Sequence, residues 1–260
     1  MNILEVKNAA FNYERGKPIF ENLSFSLQAG HILSILGPNG CGKSTLLNCL
    51  AAISTLSSGE IFLDGKAQRS LTRKEIARLI GYVPQMSTLS YGYTVLDYVV
   101  MGRAPYIGAL STPKESDAEI ARNALVKMGI THLAGRPYTE ISGGERQMAT
   151  IARVLVQEPR VIMLDEPTAA LDFGNQMRAL ALLKTLSREG YSVIMTTHTP
   201  DHAIMLDDTV ALLDRNGNFE AGGVEQIMRE DALSEVYRTP LKMVYVPEAG
   251  RTTCMAVNRG

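Results

Sequence analysis

One stretch of the sequence decides the fold: Gly37-Pro38-Asn39-Gly40-Cys41-Gly42-Lys43-Ser44-Thr45. The apolar run Ile32–Leu36 precedes it, and residues 43–52 have the pattern of a helix. Glycines let the backbone bend so that successive N–H groups point at one anion, and a helix N-terminus adds its positive dipole end. The stretch is therefore predicted to be a P-loop, with Lys43 reaching the β- and γ-phosphates of a nucleotide and Ser44 binding Mg²⁺.

A second apolar run, Val161–Leu164, ends in the adjacent carboxylates Asp165 and Glu166. A strand buried on both faces delivers its last polar residues to the carboxyl edge of a parallel sheet, where ligands bind. Two acids alone would suggest only a solvated strand end, but the P-loop favours a nucleotide site. We expect Asp165 to hold Mg²⁺, directly or through water. Glu166 is expected to be the general base or the group that positions the attacking water.

Between these motifs lies Ser142-Gly143-Gly144-Glu145, at the start of a predicted helix. Serine and glutamate at this spacing form a capping box, which satisfies free N–H groups of the first turn. The capping box does not explain the two glycines, each of which costs up to ~1 kcal/mol relative to alanine. Glycines permit another group to approach the backbone, and a bare helix N-terminus attracts anions. The loop is therefore also a predicted anion site.

The rest of the chain alternates between strands and helices, which predicts a mainly parallel sheet flanked by helices. Residues 86–158 interrupt this alternation, because their apolar residues recur at helical spacing. We therefore expect a catalytic part formed by residues 1–85 and 159–245, an inserted helical part formed by residues 86–158, and a weakly patterned, loose tail formed by residues 246–260.

Composition limits the possible functions. The chain has 260 residues, 20% of them charged, and a formal net charge of −1, which leaves no basic footprint for a nucleic-acid partner. Its apolar runs are much shorter than the roughly 20 residues that span a bilayer. No signal peptide is visible, so we expect a cytoplasmic protein. The three cysteines lack a CxxC pair, and His198 and His202 lack an HExxH motif, so neither set predicts a zinc site.

Five motifs in one order resemble the ATP-binding cassette (ABC) family: the P-loop, Gln85, Ser142-Gly143-Gly144-Glu145, residues 161–166 and His198. The resemblance covers nearly the whole chain. It implies an α/β fold of the P-loop NTPase, ABC ATPase type, with a mainly parallel sheet core, an antiparallel β subdomain and an inserted α-helical subdomain. It also implies an ATP hydrolase that works as a head-to-tail homodimer, with two ATP and two Mg²⁺ bound between the subunits.

The resemblance implies a role for each residue near the bound nucleotide. Residues 37–45 bind ATP, Gln85 senses Mg²⁺ and the attacking water, and His198 contacts the γ-phosphate. Tyr13 stands where the family places an aromatic ring that stacks on adenine. The alternative for Tyr13 is a half-buried strand residue, because tyrosine is common in strands.

The resemblance also implies which residues reach the partner subunit's nucleotide. Ser142, Gly143, Gly144 and Glu145 correspond to the signature loop, which contacts the γ-phosphate bound by the opposite subunit. Ile141 and Glu145 depart from the usual wording of that loop, LSGGQ, in ways that are familiar within the family. Asp172, in Ala170-Leu171-Asp172, corresponds to the D-loop.

Residues 93–103, 175–176 and 221–223 look like those of importers for iron–siderophores, haem and cobalamin, a group that includes molybdate and tungstate importers. This likeness implies a peripheral protein at the cytoplasmic face of the inner membrane, bound to polytopic permease subunits and served by an extracytoplasmic solute-binding protein. Thr199-Pro200 departs from the siderophore members, so molybdate or tungstate is the favoured cargo and iron–siderophore, haem or cobalamin comes next. The alternatives are a soluble ABC ATPase not tied to transport, a nucleotide-binding module without turnover and an exporter subunit.

Two further expectations concern accessibility. Cys41 is expected to react with thiol reagents and to be shielded by MgATP. Residues 86–110 are expected to form the groove that docks on the permease, with charge reversal of Arg103 as the test.

Overall fold

The computed structural model describes residues 1–13, 16–85, 92–108 and 110–257. Its strands are β1 (Asn2–Phe11), β2 (Phe20–Gln28), β3 (Ile32–Leu36), β4 (Ser58–Leu63), β5 (Lys66–Ala67), β6 (Ile80–Val83), β7 (Val161–Leu164), β8 (Ser192–Thr197), β9 (Thr209–Leu213), β10 (Phe219–Gly223), β11 (Leu241–Val246) and β12 (Arg251–Ala256). Its α-helices are α1 (Lys43–Leu50), α2 (Arg73–Leu79), α3 (Val95–Val100), α4 (Glu115–Lys127), α5 (Gly143–Leu155), α6 (Phe173–Arg188), α7 (Pro200–Leu206), α8 (Val224–Ile227) and α9 (Glu230–Tyr237).

A mostly parallel sheet lies at the centre of the described chain, with the strand order β10-β9-β3-β8-β7-β6. Only β10 runs antiparallel to its neighbour, at one edge of this sheet. Every residue of β3, β7 and β8 is buried, as expected for parallel strands that are covered on both faces. The P-loop follows β3 and the two carboxylates follow β7, so the motifs meet at the carboxyl edge of the sheet.

A second, antiparallel sheet has the order β2-β1-β4-β5. One buried apolar cluster joins its inner face to Leu46, Leu47 and Leu50 of α1 and to Leu33 and Ile35 of β3. Full burial of each such side chain contributes about 1.5–3 kcal/mol. Helix α1 is therefore held between the two sheets, which fixes the P-loop at its N-terminus.

Helices α3, α4 and α5 lie between β6 and β7 in the chain and share a second buried cluster with α6. The rings of Tyr98 and Tyr138 pack at its centre with centroids 4.1 Å apart, and each hydroxyl lies 3.2 Å from Oγ1 of Thr150. The predicted α/β fold, with a mainly parallel core, an antiparallel β part and inserted helices, is confirmed. The exact division at residues 86 and 158 stays a prediction, and residues 86–91 lie outside the described part of the chain.

The C-terminal residues differ from the expectation of a loose tail. Strands β11 and β12 form an antiparallel hairpin, paired from Leu241 with Ala256 to Val246 with Arg251. Leu241, Met243 and Cys254 pack from this hairpin onto a buried cluster that includes residues of α7 and α9. The expectation is therefore wrong for residues 246–256. Strand β12 has only six residues, too few for a clear alternation of apolar and polar side chains, and its order comes from pairing with β11 and packing on the helices. Among the described residues, no helix combines the length and apolar character needed to cross a bilayer.

Candidate nucleotide-binding site

The P-loop backbone adopts a conformation that requires glycine at two positions. Gly42 has a φ of +108°, in the left-handed region that other residues rarely adopt. A Cβ atom on Gly37 would lie 2.2 Å from the carbonyl oxygen of Leu213. The loop therefore curls tightly between the end of β3 and the start of α1, as the sequence predicts.

Lys43 is held inside this curl. Its side chain is only 4% exposed, and Nζ donates hydrogen bonds to the carbonyl oxygens of Gly37 at 2.8 Å and Pro38 at 3.1 Å. Nζ also lies 3.2 Å from Oε1 of Glu166. The ammonium group is thus fixed at the mouth of the loop, where charge-assisted hydrogen bonds to an anion are strong.

Glu166 is the point on which the separate motifs converge. Its Oε2 lies 3.3 Å from Nε2 of Gln85 and 3.2 Å from Nδ1 of His198, in addition to the contact of Oε1 with Lys43. The backbone of Glu166 has a φ of +46°, and its N–H donates to Oγ1 of Thr196 at 2.9 Å. A left-handed φ is uncommon for a residue with a side chain, and such positions cluster at functional sites.

Asp165 is buried just behind Glu166. Its Oδ1 accepts a hydrogen bond from Oγ1 of Thr196 at 2.6 Å. Tyr82 lies close by, and its pKa is raised by burial first and then by the charge of Asp165 and a hydrogen bond to it. Thr196 therefore links the two adjacent acids, because its hydroxyl serves Asp165 and the backbone of Glu166 together.

A cavity of about 460 Å³ lies beside the P-loop. Its lining consists of Tyr13, Ile19, Asn39, Gly40, Gly42, Lys43, Ser44, Thr45, Gln85 and Glu166. Among the residues predicted to act on the nucleotide of this same chain, five do not line the cavity: Gly37, Pro38, Cys41, Asp165 and His198. Ile19 is a lining residue that the sequence analysis missed, although its place just before β2 and its contact with Gly42 make it the apolar wall of the cavity.

Tyr13 lies at the rim of this cavity. Its side chain is 56% exposed, its hydroxyl lies 3.0 Å from Oγ1 of Thr45, and its ring meets Phe11 edge-on at 4.9 Å. Tyr13 also lies beyond the end of β1. These features do not match the alternative of a half-buried strand residue, and the role of Tyr13 in stacking on adenine stays a prediction.

Cys41 does not have the surroundings of a reactive thiol. It is buried, and burial raises its pKa even though Lys43 acts in the opposite direction. The thiolate is the reactive form of cysteine, and burial in apolar surroundings makes it scarce. The expected ready reaction of Cys41 with thiol reagents is therefore corrected.

The signature-like loop caps helix α5. Ser142 and Glu145 form the predicted capping box, with the backbone N–H of Ser142 donating to Oε2 of Glu145 at 2.7 Å. That bond is the main cause of the lowered pKa of Glu145. A Cβ on Gly143 would meet nothing within 4 Å, and one on Gly144 would make only ordinary contacts with Asn175. Packing within this chain therefore requires neither glycine, and the first turn of α5 is left open.

Asp172 and the signature-like loop are neighbours, away from the P-loop cavity. Asp172 caps α6, because its Oδ1 accepts the backbone N–H of Asn175 at 2.8 Å. Asn175 and Gly144 help line a separate cavity of about 410 Å³, between the start of α5 and the start of α6. The structure thus brings the D-loop and signature residues together, but not into contact with the nucleotide cavity of the same chain.

Arg103 does not suit its expected use as a docking probe. It is 8% exposed, its Nε donates to Oδ1 of Asp117 at 3.1 Å, and Nη1 donates to the carbonyl oxygen of Val156 at 2.7 Å. Reversing its charge would leave a buried acid beside Asp117 and disturb packing. The expectation is therefore corrected for Arg103. Residues 86–91, at the N-terminal end of the predicted groove, lie outside the described residues.

His202 is a second histidine near the site, but it has a structural environment. Its Nδ1 lies 3.2 Å from Oγ1 of Thr168 and 3.3 Å from Oγ1 of Thr197, and burial lowers its pKa. Within the described parts of the chain, no group of three or more His, Cys, Asp or Glu side chains is arranged to hold a metal ion.

Comparison with known proteins gives one consistent family. The sequence profile of the ABC transporter family matches residues 20–169. The chain is 38% identical over 239 residues to the molybdate import ATP-binding protein MolC of Haemophilus influenzae, a match covering 92% of this chain and 89% of that protein. It is 37% identical over 236 residues to the hemin import ATP-binding protein HmuV of Streptomyces coelicolor, covering 90% of this chain and 83% of that one.

Solved structures give the same result. A chain of an ABC transporter described as of the metal-chelate type, in an inward-facing conformation, aligns with a TM-score of 0.88 and 35% identity. The alignment covers 99% of this chain and 98% of that one. The profile match contains the P-loop, Gln85, the signature-like loop and the two carboxylates, while His198 and Tyr13 lie outside it.

Proposed function

The chain belongs to the ABC transporter family and hydrolyses ATP, and from this premise we propose that it binds ATP in the P-loop cavity and energises an importer. The observation that carries the site assignment is the convergence of Lys43, Gln85 and His198 on the carboxylate of Glu166. Four residues far apart in the chain meet within hydrogen-bond distance beside a phosphate-binding loop. This arrangement suits a reaction in which one water attacks one phosphate.

The P-loop N–H groups and Lys43 bind the phosphates, and Tyr13 stacks on the adenine above Ile19. ATP offers Lys43 a more highly charged partner than Glu166, so binding releases the carboxylate from the ion pair. Glu166 then orients the attacking water and takes up its proton, while Gln85 and His198 keep the carboxylate in place. Lys43 and His198 stabilise the charge that develops on the transferred γ-phosphoryl group.

The donor set beside the cavity fits Mg²⁺, which prefers oxygen ligands and retains several waters. Ser44 supplies a hydroxyl at the cavity wall, and Asp165 supplies a carboxylate at the adjacent strand end. Gln85 directs its amide nitrogen at Glu166, which leaves the amide oxygen for the cation. When bound, Mg²⁺ neutralises charge on the β- and γ-phosphates.

The residues of the signature-like loop act on a second copy of the chain. Ser142, Gly143, Gly144 and Glu145 do not line their own P-loop cavity, and both glycines leave the start of α5 open. A helix N-terminus of this kind binds phosphate. We infer a head-to-tail homodimer with two ATP, in which Asp172 lies next to the signature loop at the shared interface.

The imported cargo is proposed to be an oxyanion, molybdate or tungstate, with iron–siderophore, haem or cobalamin next. The similarity to the molybdate import protein MolC supports the first, and the similarity to the hemin import protein HmuV supports the second. Thr199-Pro200 is the feature that separates this chain from the siderophore group. The chain would bind polytopic permease subunits at the cytoplasmic face of the inner membrane, in series with an extracytoplasmic solute-binding protein, and would bind no nucleic acid.

The proposal is tested by isolating the tagged chain from host membranes in a mild detergent and identifying the proteins that accompany it. A polytopic permease in equal copy number supports import. Recovery with nucleic acid or ribosomes and no permease contradicts it and favours the soluble ABC class. The cargo is tested on the solute-binding protein of that permease by titration with molybdate, tungstate and haem.

A further inference from the structure

The His198 loop, residues 198–201, comprises the two residues between β8 and α7 and the first two residues of α7, and it carries the histidine that faces Glu166. The imidazole is 43% exposed, and its nitrogen Nδ1 lies 3.2 Å from Oε2 of Glu166. The position of this partly exposed ring therefore depends on the backbone that carries it. The loop is attached to the central sheet by one hydrogen bond, from the N–H of Thr199 to Oγ1 of Thr197 at the end of β8, at 3.1 Å.

The C-terminal segment, residues 230–256, holds the same loop from outside. Tyr237, the last residue of α9, donates its hydroxyl hydrogen to the backbone carbonyl oxygen of His198 at 2.9 Å. Burial is the largest cause of the raised pKa of Tyr237, and the charge of Glu166 adds to it. With its pKa raised above the ordinary value of 10, Tyr237 keeps its proton near neutral pH and can donate this hydrogen bond.

The hairpin of this segment binds the other end of the loop. Oδ1 of Asp201 accepts hydrogen bonds from Oγ1 of Thr253 at 2.8 Å, the backbone N–H of Cys254 at 3.2 Å and Nη1 of Arg251 at 3.3 Å. All three donors belong to β12. A single carboxylate oxygen thus ties the start of α7 to the hairpin.

Apolar packing completes the attachment. Ala203 of α7 and Leu233 of α9 are fully buried in one cluster, against which Tyr237, Met243 and Cys254 pack. The segment is therefore attached to the turn that carries the histidine at three points: by polar contacts at residues 198 and 201 and by apolar contacts at residue 203. Nothing in the P-loop cavity itself requires this segment, since none of its residues lines that cavity.

We infer that the C-terminal segment positions His198 for ATP hydrolysis, with Tyr237 as the positioning residue. This inference rests on the proposed function, because it gives His198 a part in the reaction. Tyr237 touches neither substrate nor reacting atoms; it acts through the carbonyl group of His198. Loss of its hydroxyl lets the loop move, so that the imidazole spends less time against Glu166 and the phosphate.

The test uses the complex isolated from host membranes and compares wild type with Tyr237→Phe, which removes only the hydroxyl group. Tyr245→Phe is the matched control, because Tyr245 lies on β11 of the same segment with its side chain 62% exposed. We expect Tyr237→Phe to lower kcat roughly two- to tenfold, the range for loss of one neutral hydrogen bond, with KM for ATP little changed. Tyr245→Phe should match wild type.

A double-mutant cycle separates positioning from a general structural defect. In a His198→Ala background, Tyr237→Phe should cause no further loss of kcat, because the residue it positions is gone. Unchanged kcat in Tyr237→Phe, or an equal loss with and without His198, overturns the inference.

Amide hydrogen exchange gives a readout that is independent of turnover. Peptides spanning residues 198–203 should exchange faster in Tyr237→Phe than in wild type, and peptides from α5 should not change. Absence of ATP hydrolysis in the wild-type complex would contradict the proposed function alone. Equal exchange over residues 198–203 in Tyr237→Phe and wild type would contradict the attachment of the His198 loop by Tyr237.

Discussion

The ammonium group of Lys43 lies 3.2 Å from the carboxylate of Glu166, and both side chains are at most 10% exposed. The lysine proposed to bind phosphate and the carboxylate proposed as the general base are therefore paired with each other in this structure. Breaking such a pair by removing one partner leaves an uncompensated charge. We propose that ATP binding replaces Glu166 with phosphate as the partner of Lys43.

Lys43→Met tests the role of the lysine in binding. Hydrogen bonds to charged groups contribute about 1.5–3 kcal/mol, so ATP affinity should fall about 10- to 100-fold. Titration with a fluorescent ATP analogue measures this, and Lys66→Met, at an exposed lysine on β5, is the control. Equal affinities in the two variants would remove Lys43 from the phosphate site.

The packing of α1 between the two sheets predicts a stability effect. Leu47 is fully buried there, whereas Leu110 is fully exposed. Leu47→Ala should lower the free energy of unfolding by about 2–5 kcal/mol, and Leu110→Ala should change it by less than about 0.5 kcal/mol. Urea denaturation followed by circular dichroism is suitable, because the chain contains no tryptophan. Similar midpoints for both variants would contradict the burial of α1.

The thiols should differ in reactivity. Burial raises the pKa of all three thiols, that of Cys49 to about 12, but Cys254 on β12 is only half-buried and is the most accessible of the three. At pH 8, iodoacetamide should therefore modify Cys254 first, with all rates increasing as pH rises and more thiolate forms. Peptide mass spectrometry over time measures the order. Modification of Cys41 first, prevented by MgATP, would restore the expectation drawn from the sequence.

Helix caps should make stability depend on acid pH. Hydrogen bonds from the backbone N–H groups of Thr72 and Ser142 hold the pKa values of Glu75 and Glu145 below the ordinary value of 4.5. A carboxyl with a lowered folded pKa stabilises above its unfolded pKa, and this stabilisation is lost as pH falls through the folded pKa. Thermal melts of wild type and of Glu75→Gln/Glu145→Gln should therefore differ at pH 7, and the difference should shrink as pH falls below 4.5 and through the lowered folded pKa values. A constant difference across this range would show that ionisation of the two caps does not contribute.

The sequence was sufficient for the parts of the site that are built from local pattern. A buried strand followed by a glycine-rich turn and a helix has one common arrangement, so the P-loop and the position of Lys43 could be predicted. The same holds for Glu166, because a residue after a buried parallel strand must lie at the carboxyl edge of the sheet. The capping box at Ser142 is likewise local, since its two partners are three residues apart.

The sequence was insufficient where tertiary packing decides. The contact of Tyr237 with the His198 loop joins a C-terminal helix to a distant turn, and no periodicity reports it. The sequence predicts Arg103 in a docking groove, whereas Asp117 and a backbone carbonyl group satisfy it in the interior. The burial of Cys41 likewise depends on residues outside its own loop.

The most direct test of the central claim is steady-state phosphate release by the membrane-isolated complex, wild type against Glu166→Gln. Glutamine keeps the shape of the side chain and one acceptor oxygen, but an amide group replaces the other oxygen and the side chain cannot take up a proton. Turnover should fall by about 10²- to 10⁴-fold, the usual contribution of a general base, while ATP still binds and holds two copies together. Wild-type turnover in Glu166→Gln would contradict the assignment of Glu166 and, with it, the site built around that residue.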